Sequence, residues 1–184
     1  MLESFDKGII RIKALPTAEA IACYHSLLGV EWKQARVALK YDGFRIKEIV
    51  AKDQRDALSV HPDFVVDRTN NLIDQIYPAA RSAVQSCWNL SVEGWSSPQF
   101  TLYDKGHFIK AHRDSGDAFP DRLFTIVTYL TDEYEGGEIR FPRIGCEFHP
   151  KAGEALIFPS DFVHDVKAVE SGHKCVFLFF LDSR

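Results

Sequence analysis

The sequence predicts an α+β fold, a β-sandwich or jelly roll buttressed by N-terminal helices. Three observations carry that prediction. From residue 97 to the end, the chain breaks into about eight short β-type runs punctuated by Gly, Pro and Asp. One of them, "CVFLFFL" (175–181), is apolar on both faces, as an inner strand covered on each side must be. Ahead of them lie two stretches whose apolar residues recur at helical spacing.

Taken in order, "LPTAEAIACYHSLLG" (15–29) is the first helix, with Thr17 placed to cap it and Gly29 to stop it. "VEWKQARVALKYDGFRIKEIV" (30–50) is richer in β-formers and broken by Asp42-Gly43, a hairpin signal. "HPDFVVDRTNNLIDQIYPAARSAVQSCWN" (61–89) returns to a helical period, with Phe64, Val65, Leu72, Ile73 and Ile76 able to share a face. Pro78 is expected to kink or divide that helix. Trp88 and Trp95 are expected in the core, where helices meet sheet. The strand runs follow: "SPQFTLYDKG", "FIKAHRD", "RLFTIVTYLTD", "GGEIRFPRI", "CEFHP", "GEALIFPSD", "HDVKAVESG" and "KCVFLFFLD". With no repeat and no linker, residues 1–184 are expected to form one domain. Residues 1–96 would supply helical support and lid elements, and 97–184 the β core.

Composition narrows the function classes. A net charge of −4 leaves no basic footprint for nucleic acid or an anionic membrane surface. No apolar run reaches the length of a membrane span, and the first twenty residues lack a signal-peptide core. Cys23, Cys87, Cys146 and Cys175 are far apart without a CxxC pair, so buried thiols are expected rather than disulfides or a zinc site. The expected setting is reducing and cytoplasmic.

The chemistry concentrates in four places: His112-Arg113-Asp114, "YEGGEIRFP", "FPSDFVHDV" with His164, and "GHKCVFLFFL" with Lys174. Residues i and i+2 of a strand share a face, so His112 and Asp114 would converge while Arg113 points to the opposite side. Two histidines and one carboxylate can occupy one face of an octahedral Fe(II), leaving open positions for a chelating cosubstrate and O2. Zinc favours a tetrahedral set with more His or Cys. Lys174 taken alone would pass for a surface lysine. His107, His149 and His173 have no partner at metal spacing and are expected at the surface.

These residues resemble the Fe(II)/2-oxoglutarate-dependent dioxygenase superfamily, in its prolyl 4-hydroxylase-like branch, over roughly Gln99 to Leu181. The matching features are HxD near a strand end, a distal His about fifty residues later, a basic residue about ten beyond it, and a Tyr nine before the first His. "TIVTYLTDEYEGGEIRFP" is similar to the branch's middle strands. The resemblance implies a double-stranded β-helix, with His112, Asp114 and His164 as catalytic Fe(II) ligands. It implies 2-oxoglutarate as cosubstrate, its far carboxylate held by Lys174 with help from Tyr103. It implies O2 as oxidant and extends to ascorbate as an accessory reductant. Asp114 speaks for hydroxylation, because halogenating relatives carry Ala or Gly there.

The substrate implied is a prolyl or other residue in a peptide, or a free amino acid, with succinate and CO2 released. A cupin-like jelly roll that binds metal or ligand without oxidising it is the competing reading, since "PKAGEALIFPSDFVHDV" resembles a cupin motif. HxD in place of HxH counts against it. A nucleic-acid demethylase is less favoured still, for want of a basic face. Residues 41–60 and 115–122 are expected around the active-site mouth, where Arg36, Arg45, Lys47 and Arg55 offer cations to a carboxylate-bearing substrate.

Overall fold

Each long strand of the second half alternates between two apolar faces, and each face meets a different partner. The computed structural model describes residues 2–41, 45–60, 62–116 and 118–183, with backbone alone for 39–41, 45, 46 and 62. The chain opens with β1 (Leu2–Asp6), β2 (Ile9–Lys13), α1 (Thr17–Ser26), β3 (Lys33–Gln34), β4 (Val37–Tyr41) and β5 (Arg45–Ile49). It continues with β6 (Arg55–Asp56), β7 (Leu58–Val60), a 3-10 turn (Pro62–Phe64) and α2 (Val66–Trp88). Then come β8 (Gly94–Tyr103), β9 (Phe108–His112), β10 (Arg122–Tyr129), β11 (Tyr134–Gly136), β12 (Ile139–Phe141) and β13 (Cys146–Phe148). The last four are β14 (Glu154–Pro159), β15 (His164–Val166), β16 (Val169–Gly172) and β17 (Lys174–Asp182).

Two sheets face one another. The larger has eight strands in the order β1-β2-β14-β10-β17-β8-β7-β3, and the smaller has five in the order β13-β12-β15-β9-β6. Short pairs β11-β16 and β4-β5 complete the pairing. This is a jelly roll with helices on one side, the double-stranded β-helix the sequence predicts.

Strand β17 shows why the sequence folds this way. Cys175, Phe177, Phe179 and Leu181 pack with Leu72, Ile73, Ile76 and Val84 of α2 in one core cluster. Val176 and Leu178 turn the other way, towards Ile139, Phe141 and Val166 of the smaller sheet. Burying a side chain of this size stabilises the fold by about 1.5–3 kcal/mol over leaving it exposed. That packing, more than helix propensity, holds α2 in place.

Several local expectations are corrected. Pro78 neither ends nor divides α2, which runs unbroken from Val66 to Trp88. Pro78 lies on the exposed face, so the carbonyl it leaves without an N–H partner can take a water instead, while the buried face anchors both halves. Thr17 is the first residue of α1 rather than its cap, and its hydroxyl donates to the Ala152 carbonyl at 3.2 Å. Phe64 stands in the 3-10 turn, exposed, because α2 starts only at Val66. Trp95 is also exposed, whereas Trp88 packs edge-on against Phe5 and Phe124. Strands β4 and β5 form the antiparallel hairpin, but the Asp42-Gly43 turn lies outside the described residues. All four cysteines are free thiols, with Cys175 alone fully buried. Among the described residues, no helix is long and apolar enough to cross a membrane.

Candidate metal centre

The smaller sheet brings the first two site residues together. β9 ends on His112, β15 begins on His164, and the two are direct antiparallel partners. Their rings lie 4.3 Å apart between centroids. Asp114 arrives by another route than the shared strand face expected for it. β9 has ended by then, and Asp114 sits in the bend beyond it. The bend is pinned by the backbone: the N–H groups of Asp114 and Ser115 both donate to the Ser160 carbonyl, at 2.9 and 3.0 Å. Arg122 donates to the Asp114 carbonyl at 3.2 Å, and the Thr125 hydroxyl donates to Asp114 Oδ2 at 2.8 Å.

The result is a three-residue cluster, His112, Asp114 and His164, whose ligand atoms lie within 4.8 Å of one another. Asp114 Oδ1 is 3.4 Å from His112 Nε2, and Asp114 Oδ2 is 3.5 Å from His164 Nε2. Donors bound at about 2 Å to one ion are themselves about 3–4 Å apart, so the set fits a single metal. The imidazoles are also in the right tautomer. His112 Nδ1 lies 2.8 Å from the Lys110 carbonyl, and His164 Nδ1 lies 2.9 Å from the Phe162 carbonyl. A carbonyl only accepts, so each Nδ1 carries the hydrogen and Nε2 is the inward-facing nitrogen of each ring, free to offer a lone pair when the imidazole is neutral.

Electrostatics sets the three groups apart. Burial pushes His164 down to about 4, which keeps the imidazole neutral, the form that can offer a lone pair to a metal. Burial pushes Asp114 up, but the two imidazoles and the Thr125 hydroxyl outweigh it and hold the carboxyl well below its usual range. For His112 the burial effect is overcome by its hydrogen bond with Asp114, and its pKa is raised. His107, His149 and His173 are not members of the cluster. His149 stacks on Tyr134, and His173 is exposed beside Asp104.

A cavity of about 570 Å³ opens between the two sheets, and Tyr103, His112, Asp114, His164 and Lys174 all line it. Lys174 is not the surface lysine it would pass for taken alone. It is 1% exposed, and its ammonium nitrogen donates to the Gly137 carbonyl at 2.7 Å. The nitrogen lies 5.1 Å from the centroid of the Tyr103 ring and 5.3 Å from that of Tyr129. Burial pushes it down to about 7. The Gly136-Gly137 turn makes this possible, because both residues have positive φ and a Cβ on Gly137 would press on the Lys174 stem.

Two residues of the site were missed from the sequence. Tyr129 is fully buried, lines the same cavity, and its hydroxyl has no hydrogen-bond partner among the described residues. Thr125 fixes Asp114. Both alternate with Val127 on one face of β10, a signal visible in "TIVTY" once that strand is known to face the cavity. Around the opening, Arg36 ahead of β4 joins Val37 and Ala38 of β4 and Glu48 of β5, and the segment after Asp114 contributes Ser115, Gly116, Ala118 and Phe119. The Arg45 side chain lies outside the described residues.

Comparison with known proteins gives the following. The family model described as the 2OG-Fe(II) oxygenase superfamily matches residues 98–182. A PKHD-type hydroxylase of Prochlorococcus marinus (strain AS9601) is 38% identical over 65 residues, 34% of this chain and 29% of that one. A PKHD-type hydroxylase of Synechococcus sp. (strain CC9902) is 25% identical over 153 residues, 74% of this chain and 68% of that one. The first of these matches therefore spans under a third of its relative's length. Among solved structures, the 2OG complex of a viral collagen prolyl hydroxylase from Paramecium Bursaria Chlorella virus-1 superposes with TM-score 0.66 at 20% identity, covering 97% of both chains. A Pseudomonas putida prolyl-4-hydroxylase superposes with TM-score 0.67 at 20% identity, covering 96% of this chain and 93% of that one. A Trichoplax adhaerens prolyl hydroxylase in complex with a hypoxia-inducible-factor peptide gives 0.69 at 14% identity, covering 95% and 84%. At these identities the structures speak for the fold.

Proposed function

We propose, from the match of residues 98–182 to the family model of the 2OG-Fe(II) oxygenase superfamily, that the protein is an Fe(II)- and 2-oxoglutarate-dependent dioxygenase. It hydroxylates a prolyl or other amino-acid residue in a peptide, or a free amino acid, and releases succinate and CO2. One observation carries the reading: a two-imidazole, one-carboxylate set and a buried lysine with no carboxylate partner among the described residues line the same cavity. A cupin-like binder without oxygenase activity has use for the first and none for the second.

His112, Asp114 and His164 are the proposed iron ligands. When bound, the iron supplies the O2 activation that no side chain can. Each side chain has a derivable task. Thr125, Ser160 and Arg122 hold Asp114 in place, so the carboxylate needs little reorganisation to ligate. Lys174 is the proposed partner for the far carboxylate of 2-oxoglutarate. An arriving carboxylate stabilises the charged ammonium, so Lys174 takes or keeps a proton on binding. Tyr103 and Tyr129 remain protonated because burial raises both phenols, so each can donate to the same carboxylate. Val127, Ile139, Val166 and Val176 line the cavity between the two ends with apolar surface that excludes water.

The test is succinate production by the purified protein with Fe(II) and 2-oxoglutarate, over panels of prolyl peptides and free amino acids. Substrate-stimulated succinate is expected from the wild type, and loss of about two orders of magnitude or more from Asp114→Ala with an unchanged fold. Full turnover by that variant would sink the ligand assignment.

A further inference from the structure

The open side of the cavity is cationic, although the whole chain carries −4. Among the described residues, Arg36, Arg55, Lys110, Arg113 and Arg122 line it, and the carboxylates lining it are Glu48 and the proposed ligand Asp114. Arg122 already has a task, because it lies over the Phe119 and Phe180 rings at 3.6 and 3.7 Å and holds the Asp114 carbonyl. Arg36, Lys110 and Arg113 are exposed and solvated.

Arg55 is different. It is only partly exposed, on β6, where it pairs with Ile109 of β9 two residues before Ala111. Its guanidinium donates to the Arg36 carbonyl at 3.2 Å, to Gln99 Oε1 at 3.0 Å and to Thr101 Oγ1 at 3.2 Å. All three acceptors are neutral. Its Nε is buried with no partner, and no ion pair involves Arg55 among the described residues. A planar guanidinium drawn partly out of water, aimed into a cavity and lacking a carboxylate, is a receptor geometry for one. Both Arg55 and its acceptor Gln99 line the cavity, beside Tyr103 and His112. The carboxylate of 2-oxoglutarate already has Lys174 at the closed end.

We propose, resting on the oxygenase reading, that Arg55 receives a carboxylate of the substrate and makes this a site for acidic substrates. The carboxylate has two possible sources, the side chain of an Asp or Glu beside the oxidised residue of a peptide, or the α-carboxylate of a free amino acid. The exposed cations Arg36, Lys110 and Arg113 add long-range attraction that salt will screen.

The experiment is a binding measurement on the full chain, read without turnover. Fluorescein-labelled peptide pools centred on proline are titrated by polarisation, one with Asp and Glu in the flanking positions and one with Asn and Gln. Free proline, aspartate and glutamate are titrated by calorimetry, alongside 2-oxoglutarate. The acidic pool is expected to bind about tenfold tighter than the amide pool, the order expected of one charge-assisted pair. Arg55→Met should erase that preference and leave 2-oxoglutarate affinity unchanged. Arg55→Lys, the variant more certain to fold, should retain part of the preference. Free amino acids bound in an Arg55-dependent way, with no difference between pools, would also support the receptor and assign the α-carboxylate. Equal pools with no binding of free amino acids would overturn the proposal. So would an Arg55→Met variant that loses 2-oxoglutarate instead, since Arg55 would then belong to the cosubstrate. Failure of the wild type to bind 2-oxoglutarate would strike the oxygenase reading, and the comparison of pools would still decide the role of Arg55.

Discussion

Lys174 combines features that pull in opposite directions: full burial, one neutral acceptor, and an amine pushed down to about 7. The folded pKa is depressed below the unfolded value, so between about 7 and 10.5 the unfolded chain binds the extra proton. Stability therefore rises with pH across that window, by up to about 1.4 kcal/mol per unit from this group. Lys174→Met should lack that component. Its melting temperature is expected to exceed the wild type's at pH 7 and to lose the advantage as pH approaches 10. The same variant should bind 2-oxoglutarate about a hundredfold or more weaker, since removal of one partner of a partly desolvated pair typically costs about 3–5 kcal/mol. Equal affinities in calorimetry would reject the pairing. At this scale the sequence was legible where spacing along the chain encodes chemistry. His112 and Asp114 are two residues apart, and Lys174 follows His164 by ten. Tyr129 was not legible as a site residue, because it reaches the cavity from a strand other than those that carry the two histidines. Arg55 was noted only as one cation among several.

At the level of elements, the chain's alternation predicted strands well, and local breakers predicted poorly where packing outweighed them. Pro78 costs α2 one hydrogen bond on its wet face, and the buried face of that helix more than compensates. The HxD motif was read as one strand face, but only His112 is on the strand, and hydrogen bonds to Ser160 and Thr125 place Asp114. The Gly-Gly turn is where sequence and structure agree most closely. Gly136 has φ +68°, and a Cβ there would run into the Ala168 carbonyl oxygen, a backbone atom with nowhere to go. Gly145 has a similar φ of +64°, but open space surrounds its missing Cβ. Gly145→Ala should therefore cost about 1 kcal/mol, the backbone term alone. Gly136→Ala should cost about 2–4 kcal/mol by denaturant midpoint. It should also weaken 2-oxoglutarate binding, because the adjacent Gly137 carbonyl holds Lys174. Equal costs for the two glycines would remove the steric argument.

For the molecule as a whole, the expected class was legible because "CVFLFFL" needs cover on both faces and two helical stretches were available to give it. What the sequence did not disclose is how unequal the two sheets are. β8, β17 and β10, central in the larger sheet, have ten, nine and eight residues. In the smaller sheet β9 has five, β12 and β15 three each, and β6 two. The two histidines of the proposed iron site hang on that slighter sheet, while Lys174 is rooted in the heavier one. The molecule is thus a vessel with a stiff back and a compliant front, and the compliant wall carries the parts that must grip and release. Few ladder bonds per strand mean inexpensive local opening, so the amides of β9, β12 and β15 should exchange with deuterium well before those of β17. Adding 2-oxoglutarate with Mn(II) in place of iron should slow the front selectively, by mass action on the closed form, and leave the back unchanged. Uniform exchange across both walls would contradict this. If the gradient is there, breathing of the thin wall is the step that admits the larger guest, and the rate of entry is set by strand length rather than by the chemistry inside.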